Sequence, residues 1–269
     1  PGRARCSGGL GQTIRRAPGG PGPRADVGPD GGRPACHTRS MRESLTRMPA
    51  TITPADLPAP RRADTPYTIS MVCTGNICRS AMAEVVLIDR LTAAGVPASG
   101  PSGVVVTSAG VSDEEHGNPI DSRARRLLVE RGYGSGGDAA ARAVVAAVSG
   151  HVAHRIDDAE LAGADLVLAM TAAHLRELLR RTERLDIDAD RIRMFREFDP
   201  AVSELIASDP AAGAERRGTA VGLRASRGLG VPDPWYGTME DFVETLEVVE
   251  RVCDALAPVL VEASAQRGR

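Results

Sequence analysis

Cys73 and Arg79 lie close together in the stretch TISMVCTGNICRSAMAE, which spans residues 68–84. The stretch begins with apolar, strand-forming residues, breaks at Cys73 into a loop that holds Gly75 and Asn76, and continues after Arg79 as a helix. Where a strand turns tightly into a helix, successive backbone N–H groups converge on one point, and the helix dipole adds about half a positive charge there. Such a loop is suited to bind a dianionic phosphate group.

The side chains of this loop predict nucleophilic chemistry on the bound phosphorus. Cys73 lies in the field of the N–H groups and near Arg79, and both favour the thiolate, which is the nucleophilic form of cysteine. The planar guanidinium of Arg79 can hold two phosphate oxygens at once. Ser80 opens the helix, where its hydroxyl either caps a backbone N–H or faces the thiolate. The other predicted phosphate-binding residues are Thr74, Gly75, Asn76, Ile77 and Cys78.

A second candidate for chemistry is the segment Val-Pro-Asp-Pro-Trp-Tyr-Gly at residues 231–237. It contains Trp235, the only tryptophan of the chain, directly before Tyr236. Two adjacent aromatic side chains on a stiff loop are costly to leave in water unless they form the wall of a pocket. Asp233 lies between two prolines, which fix its direction. The alternative is a proline-rich turn whose tryptophan anchors the C-terminal helix.

The pattern C-x-G-N-x-C-R-S at residues 73–80 resembles the signature of the low-molecular-weight protein tyrosine phosphatases, although many members have proline where this chain has Ala81. The segment at 233–236 resembles the general-acid loop of the same family. The resemblance implies hydrolysis of phosphotyrosine and other aryl phosphate monoesters through a cysteinyl-phosphate intermediate, without a metal or an organic cofactor. It also implies a phosphotyrosine-containing protein or a small aryl phosphate as substrate, and phosphate or vanadate-like anions as inhibitors.

The resemblance further assigns a role to individual residues. Cys73 would attack phosphorus, Arg79 would hold the equatorial oxygens, and Asp233 would protonate the leaving oxygen and then activate water. The residues that it places around this centre are Ser108 and His154 as supports of the loop asparagine, and Trp235 and Tyr236 as walls of a pocket for flat aryl groups.

Other functions share parts of this pattern. A metal site would need further ligands at suitable spacing, but the remaining cysteines, Cys6, Cys36 and Cys253, are scattered, so we predict no metal. A thioredoxin-coupled arsenate reductase has additional cysteines in the middle of the chain, and none occurs here between Cys78 and Cys253. A protein-arginine phosphatase typically has threonine at the position of Ile77. A non-catalytic phosphotyrosine-binding module would keep the loop without the chemistry.

Composition limits the classes of function. The formal net charge of −2 gives no support to nucleic-acid binding. No apolar run approaches the ~18 residues that a membrane span requires. The five cysteines are an odd number and suit a reducing compartment better than a disulfide scaffold. We therefore expect a soluble, cytoplasmic monomer that binds neither nucleic acid nor membranes.

The rest of the sequence predicts the elements that position these residues. Apolar runs predict strands at 67–73, 104–108, 165–170 and 192–198. Amphipathic patterns predict helices at 80–95, 121–132, 172–181 and 239–263, with Pro258 bending or fraying the last of them. This alternation predicts an α/β fold with a four-stranded parallel sheet and helices on both faces. Ser108 then lies at the carboxyl end of a strand, where ligands collect in such sheets.

The remaining segments do not follow this alternation. Residues 1–64 are rich in Gly, Pro and Arg and predict a disordered extension, with Met41 or Met48 as the expected natural start. Residues 65–269 form the predicted phosphatase domain. It has one insertion near 134–150, either a floppy excursion or an extra helical turn over residues 139–148, and another, mobile one near 201–230.

Two predictions concern polar residues of the domain. The loop at 112–119 is expected at the pocket rim, where relatives often carry tryptophan and this chain has Asp-Glu-Glu-His. His116, His151 and His174 are expected to face solvent.

Overall fold

The computed structural model describes residues 52–202 and 226–269. Its centre is a four-stranded parallel sheet with the strand order β2-β1-β3-β4. The strands are β1 (Tyr67–Cys73), β2 (Val104–Gly110), β3 (Leu166–Ala169) and β4 (Ile192–Met194). All of them run in the same direction, so their carboxyl ends meet at one edge of the sheet. This confirms the predicted α/β architecture and gives Ser108 its expected place near the end of β2.

Helices cover both faces of the sheet. The helices of the described ranges are α1 (Arg79–Ala93), α2 (Ser122–Glu130), α3 (Ala139–Gly150), α4 (Asp158–Gly163), α5 (Ala172–Leu185) and α6 (Met239–Arg267). Side chains of β1 alternate between two cores, as the pleat of a strand requires. Ile69 and Met71 pack in the core formed with α1, α2, α3 and α6, whereas Val72 packs in the core formed with α4 and α5.

The predicted ends of the fourth strand and of the helix at 172–181 were wrong. The fourth strand ends at Met194, and the rest of the predicted strand forms a 3₁₀ turn at Phe195–Phe198. The turn forms because the carboxylate of Glu197 accepts a hydrogen bond from the backbone N–H of Met194 (2.9 Å), and both phenylalanines remain buried. Helix α5 continues beyond residue 181 to Leu185, since Arg181 and Arg184 form ion pairs with Asp158 of α4.

The C-terminal helix α6 passes through Pro258 instead of fraying there. Proline removes one helical hydrogen bond. The helix nevertheless reaches Arg267, because Val259 and Leu260 beyond the proline are buried in the core and their packing keeps the turn in place. No helix within the described ranges is both long and apolar enough to cross a membrane.

The predicted insertion at 134–150 contains a helix, α3, which agrees with the helical alternative over residues 139–148 and extends it to Gly150. Asp138 begins it by accepting a hydrogen bond from the backbone N–H of Ala141 (2.7 Å). Ala140 and Val144 are buried, and the helix packs against α1. The segment is therefore part of the core, and it ends directly before His151.

The predicted disorder of residues 1–64 is wrong for residues 52–64. The backbone N–H of Arg61 donates to Asp165 (2.6 Å), and the guanidinium of Arg193 donates to the carbonyl of Asp56 (2.6 Å). These partners are far away in sequence, so composition alone could not indicate them. The predictions for residues 1–51 and 203–225 lie outside the described residues. The boundary between extension and domain therefore stays a proposal.

Candidate active site

The loop after β1 curls around the sulfur of Cys73. Asn76 has a φ of 62°, in the left-handed region that asparagine tolerates better than most residues. The backbone N–H of Asn76 points back to the Sγ atom of Cys73 at 3.3 Å. Gly75 has no room for a side chain, because an added Cβ would lie 2.7 Å from the Cγ atom of Glu115. Helix α1 then begins at Arg79. The predicted order of strand, loop and helix is therefore present.

Ser80 faces the sulfur, which decides between the two positions that the sequence allowed. Its Oγ atom lies 3.0 Å from the Sγ atom of Cys73, and both side chains are buried. The Ser80 hydroxyl is therefore placed to donate a hydrogen bond to a thiolate at this position. Cys78 differs, because burial and then the charge of Asp121 raise the pKa of its thiol. The loop therefore holds one cysteine placed for reaction and one that stays protonated.

The guanidinium of Arg79 lies on the floor of the pocket. The residue is only 4% exposed. Its Nη2 atom donates to the Oδ2 atom of Asp233 at 2.6 Å and to the Oγ1 atom of Thr74 at 3.2 Å. Its Nε atom is buried and has no hydrogen-bond partner in the part of the chain that the structure describes. An unpaired buried donor on a charged group is costly, so this atom indicates the place of a ligand oxygen.

Asp233 faces Arg79 from a loop that is fixed to the rest of the domain. The backbone N–H of Val231 donates to the carbonyl of Met170 at 2.8 Å, next to the end of β3. The hydroxyl of Thr245 in α6 donates to the carbonyl of Pro232 at 3.2 Å. The carboxylate itself is half exposed, so it is open to a substrate entering the pocket.

Trp235 and Tyr236 stand at the pocket as the sequence predicts. The two rings meet edge to face with their centroids 6.4 Å apart, and the Tyr236 side chain is almost fully exposed. The guanidinium of Arg123 lies over the ring of Trp235 (5.9 Å) and donates to the carbonyl groups of Trp235 and Gly237, which holds this wall in place.

The pocket has a volume of about 140 Å³. Its lining residues are Cys73, Thr74, Gly75, Ile77, Cys78, Arg79, Glu114, Glu115, Asp233, Trp235 and Tyr236. Glu114 and Glu115 belong to the loop at 112–119, which is thus at the rim as expected. Within the described ranges, no group of three or more Asp, Glu, His or Cys side chains could hold a metal ion.

A buried hydrogen-bond network supports the loop from below. The amide nitrogen of Asn76 donates to the hydroxyl oxygens of Ser108 (2.8 Å) and Ser80 (3.1 Å). Ser108 in turn donates to the carboxylate of Glu84 in α1 (2.5 Å). Ser108 therefore contacts the loop asparagine as predicted. Sequence reasoning missed Glu84, although a carboxylate among the buried residues of α1 is a signal that could have identified it.

The predictions that place His151 and His174 in solvent were wrong. His154 contacts Asn76 only through its backbone N–H (3.2 Å), while its ring turns to Glu160. The ring of His151 instead donates from Nε2 to the backbone carbonyl of Asn76 (2.7 Å), because α3 ends directly before it. His151 and His174 are therefore not solvated, since each side chain is about 5% exposed. His116 is exposed as expected.

Asn76→Ala is expected to destabilise the domain by about 3 kcal/mol. An alanine in the left-handed region costs about 1–2 kcal/mol, and the loss of the amide leaves buried hydroxyl groups without a partner. Urea denaturation of the variant measures this loss. Asn76→Gly is the matched control, because it removes the amide but tolerates the positive φ, and we expect about half the loss. Equal losses of unfolding free energy in both variants would show that the positive φ contributes nothing to the effect of Asn76→Ala.

The fold and the site together define a class, the cysteine-dependent phosphatases. A family model described as low molecular weight phosphotyrosine protein phosphatase matches residues 68–222. The low molecular weight protein-tyrosine-phosphatase of Streptomyces coelicolor is 34% identical over 196 residues, which cover 73% of this chain and 94% of that protein. The human low molecular weight phosphotyrosine protein phosphatase is 30% identical over 188 residues, which cover 70% of this chain and 92% of that protein.

A crystal structure of a protein tyrosine phosphatase from Entamoeba histolytica shows the same fold. The TM-score is 0.51 at 23% identity, and the match covers 73% of this chain and 97% of that one. The match to the family model and the identity to these relatives show that the chain belongs to the low molecular weight phosphotyrosine protein phosphatase family. Members of this family are phosphoric monoester hydrolases.

Proposed function

We propose that this protein hydrolyses phosphotyrosine, in proteins or as a small aryl phosphate, through a cysteinyl-phosphate intermediate. The observation that carries the proposal is the convergence of Cys73, Arg79 and Asp233 on one pocket, with the Nε atom of Arg79 buried and unpaired there. A phosphate oxygen supplies the missing partner of this donor. We also propose that the protein acts in the cytoplasm as a monomer and is inhibited by phosphate and vanadate-like anions.

Substrate binding rearranges the charges of the pocket. In the empty site the guanidinium of Arg79 pairs with Asp233 at 2.6 Å. A phosphate dianion carries more charge than the carboxylate and accepts two parallel hydrogen bonds from a guanidinium. Arg79 therefore turns the N–H that faces Asp233 to a phosphate oxygen, and Asp233 becomes free to face the ester oxygen.

In the first chemical step, the thiolate of Cys73 attacks phosphorus in line with the ester bond. After leaving Arg79, the Asp233 carboxylate takes up a proton from solvent. The S–P bond then forms, the P–O bond to the aryl group breaks, and Asp233 gives this proton to the leaving oxygen. The loop N–H groups and Arg79 stabilise the three equatorial oxygens while charge moves across them. The products are the free phenol and the cysteinyl phosphate.

In the second step, water replaces the sulfur. Asp233, now a carboxylate, removes a proton from the water as its oxygen attacks phosphorus, and the S–P bond breaks. The hydroxyl of Ser80, 3.0 Å from the sulfur, stabilises the departing thiolate. Inorganic phosphate leaves, and the enzyme returns to its first state without a cofactor.

The pocket walls favour an aryl group over an aliphatic one. Trp235 and Tyr236 present ring surfaces at the entrance, and Ile77 adds an apolar branched side chain to the lining. A flat phenyl ring can pack against these surfaces, whereas the short side chain of phosphoserine cannot extend past them to reach the sulfur.

The test compares phosphopeptides that differ only in the modified residue: phosphotyrosine, phosphoserine and phosphoarginine. With EDTA present, we expect rapid release of phosphate from phosphotyrosine and at least about a hundredfold lower kcat/KM for the other two. A preference for phosphoarginine would identify an arginine phosphatase. Binding of vanadate without turnover of any peptide would identify a non-catalytic binding module. Either result would refute the proposal.

A further inference from the structure

His174 is a buried titratable residue without a role in the steps above. It lies in the first turn of α5, and its backbone N–H donates to Thr171, which caps that helix (3.3 Å). Burial, and then the positive charge of Arg79, lower the pKa of the His174 imidazole to about 3. The side chain is therefore neutral at physiological pH and can act only as a hydrogen-bonding group.

The ring of His174 reaches the phosphate loop through a single contact. Its Nε2 atom lies 3.0 Å from the Oγ1 atom of Thr74. The same oxygen accepts a hydrogen bond from the Nη2 atom of Arg79 at 3.2 Å. Thr74 thus connects a neutral imidazole with the guanidinium that faces the substrate, and Thr74 itself lines the pocket.

The surroundings of the other ring nitrogen indicate the tautomer of His174. The Nδ1 atom is buried and has no hydrogen-bond partner within the described ranges. Buried N–H groups without a partner are rarer in proteins than buried acceptors without one. The proton is therefore assigned to Nε2, and Nδ1 keeps its lone pair.

This tautomer determines what the hydroxyl of Thr74 can do. A hydroxyl group has two acceptor lone pairs and one proton. Nε2 of His174 and Nη2 of Arg79 both donate to the oxygen, so both lone pairs are used. The hydroxyl proton remains, and it can be donated only to another acceptor. In the pocket, the acceptor that a substrate brings is a phosphate oxygen.

We propose that His174 is a positioning residue that holds the Thr74 hydroxyl so that it donates its proton to an oxygen of the bound phosphate group. The proposal rests on the proposed function, because it assigns this hydrogen bond to the same phosphate site. The ligand class is a tetrahedral phosphate, either the substrate ester or inorganic phosphate. His174 does not touch the ligand and acts through Thr74.

The test combines three variants of the full chain. His174→Phe fills the same space without a hydrogen bond, His174→Gln can place an amide N–H near the position of Nε2, and Thr74→Val removes the hydroxyl. We expect His174→Phe and Thr74→Val each to weaken binding of inorganic phosphate, measured by calorimetry, about tenfold, the value of one hydrogen bond to a charged group. His174→Gln is expected to recover most of this loss. kcat/KM for p-nitrophenyl phosphate should fall by a similar factor.

Two further results separate this role from a merely structural one. In the Thr74→Val background, we expect His174→Phe to change phosphate affinity less than about twofold, since its partner is already gone. The loss in His174→Phe is expected to be the same from about pH 5 to pH 8, because His174 is neutral throughout. The proposal would be overturned if the losses of phosphate affinity multiplied in the double variant. It would also be overturned if a folded His174→Phe variant bound phosphate as tightly as the wild type.

A measurement on the wild type does not depend on how the variants fold. Imidazole ¹⁵N chemical shifts report the tautomer directly, and we expect a protonated Nε2 and an unprotonated Nδ1 for His174. The opposite tautomer would refute the proposal. If the wild type binds phosphate but does not hydrolyse p-nitrophenyl phosphate, the proposed function fails while the role of His174 is still decided by phosphate affinity.

Discussion

Cys73→Ser is expected to lower kcat for p-nitrophenyl phosphate by at least about four orders of magnitude. A serine hydroxyl does not ionise at neutral pH. The side chain that forms a hydrogen bond with the sulfur, the hydroxyl of Ser80 at 3.0 Å, is not a base that could activate it. The loop N–H groups and Arg79 remain, so the variant should still bind phosphate. Steady-state kinetics and phosphate calorimetry measure the two properties separately.

Cys253→Ser is the matched control for this variant. Cys253 is completely buried in α6 and belongs to the core, away from the pocket lining. The same chemical change there is expected to lower stability but to leave kcat within about twofold of the wild type. Residual activity of Cys73→Ser above about 1% of the wild-type value would mean that another group is the nucleophile.

Asp233→Asn is expected to lower kcat/KM for phosphotyrosine by a factor of about 10²–10⁴, the range found for general acids. Asparagine keeps the shape of the side chain but cannot give up a proton. The loss should be smaller for p-nitrophenyl phosphate, because p-nitrophenolate is a stable leaving group that needs less protonation. Phosphate should bind more tightly to the variant, since the carboxylate that pairs with Arg79 at 2.6 Å no longer competes.

Glu114→Gln is the matched control for Asp233→Asn. Glu114 is another carboxylate of the same pocket lining, so its removal changes the charge of the pocket without removing the proposed acid. We expect less than about a fivefold change in kcat/KM. A loss as large as that of Asp233→Asn, or equal losses of Asp233→Asn for good and poor leaving groups, would contradict the assignment of Asp233 as the general acid.

The sequence predicts those parts of the molecule that depend on neighbouring residues. The turn from β1 through Asn76 into α1 follows from local backbone preferences, and the strands follow from apolar runs. The walls at Trp235 and Tyr236 follow from the cost of exposing adjacent aromatic rings. Each of these features is encoded within about ten residues, so no knowledge of the tertiary structure is needed to find it.

The supports of the site depend instead on contacts between distant segments. Glu84 reaches Ser108, and His151 and His174 reach the phosphate loop, only because α1, α3 and α5 pack as they do. A single histidine has no periodic pattern that would show its position. Which of the rings of His151 and His154 faces Asn76 depends on the packing of the inserted helix α3, and the sequence did not reveal that packing. The segment 52–64 was missed for the same reason, since its partners lie in β3 and β4 or next to them.

The attachment of the Asp233 loop has a consequence for how the chain can vary. The backbone N–H of Val231 binds the carbonyl of Met170, and the hydroxyl of Thr245 binds the carbonyl of Pro232. The position of Asp233 is therefore set locally on both sides. It does not depend on how many residues precede Val231. A change of chain length before Val231 that leaves these two hydrogen bonds intact is therefore expected not to move the proposed general acid.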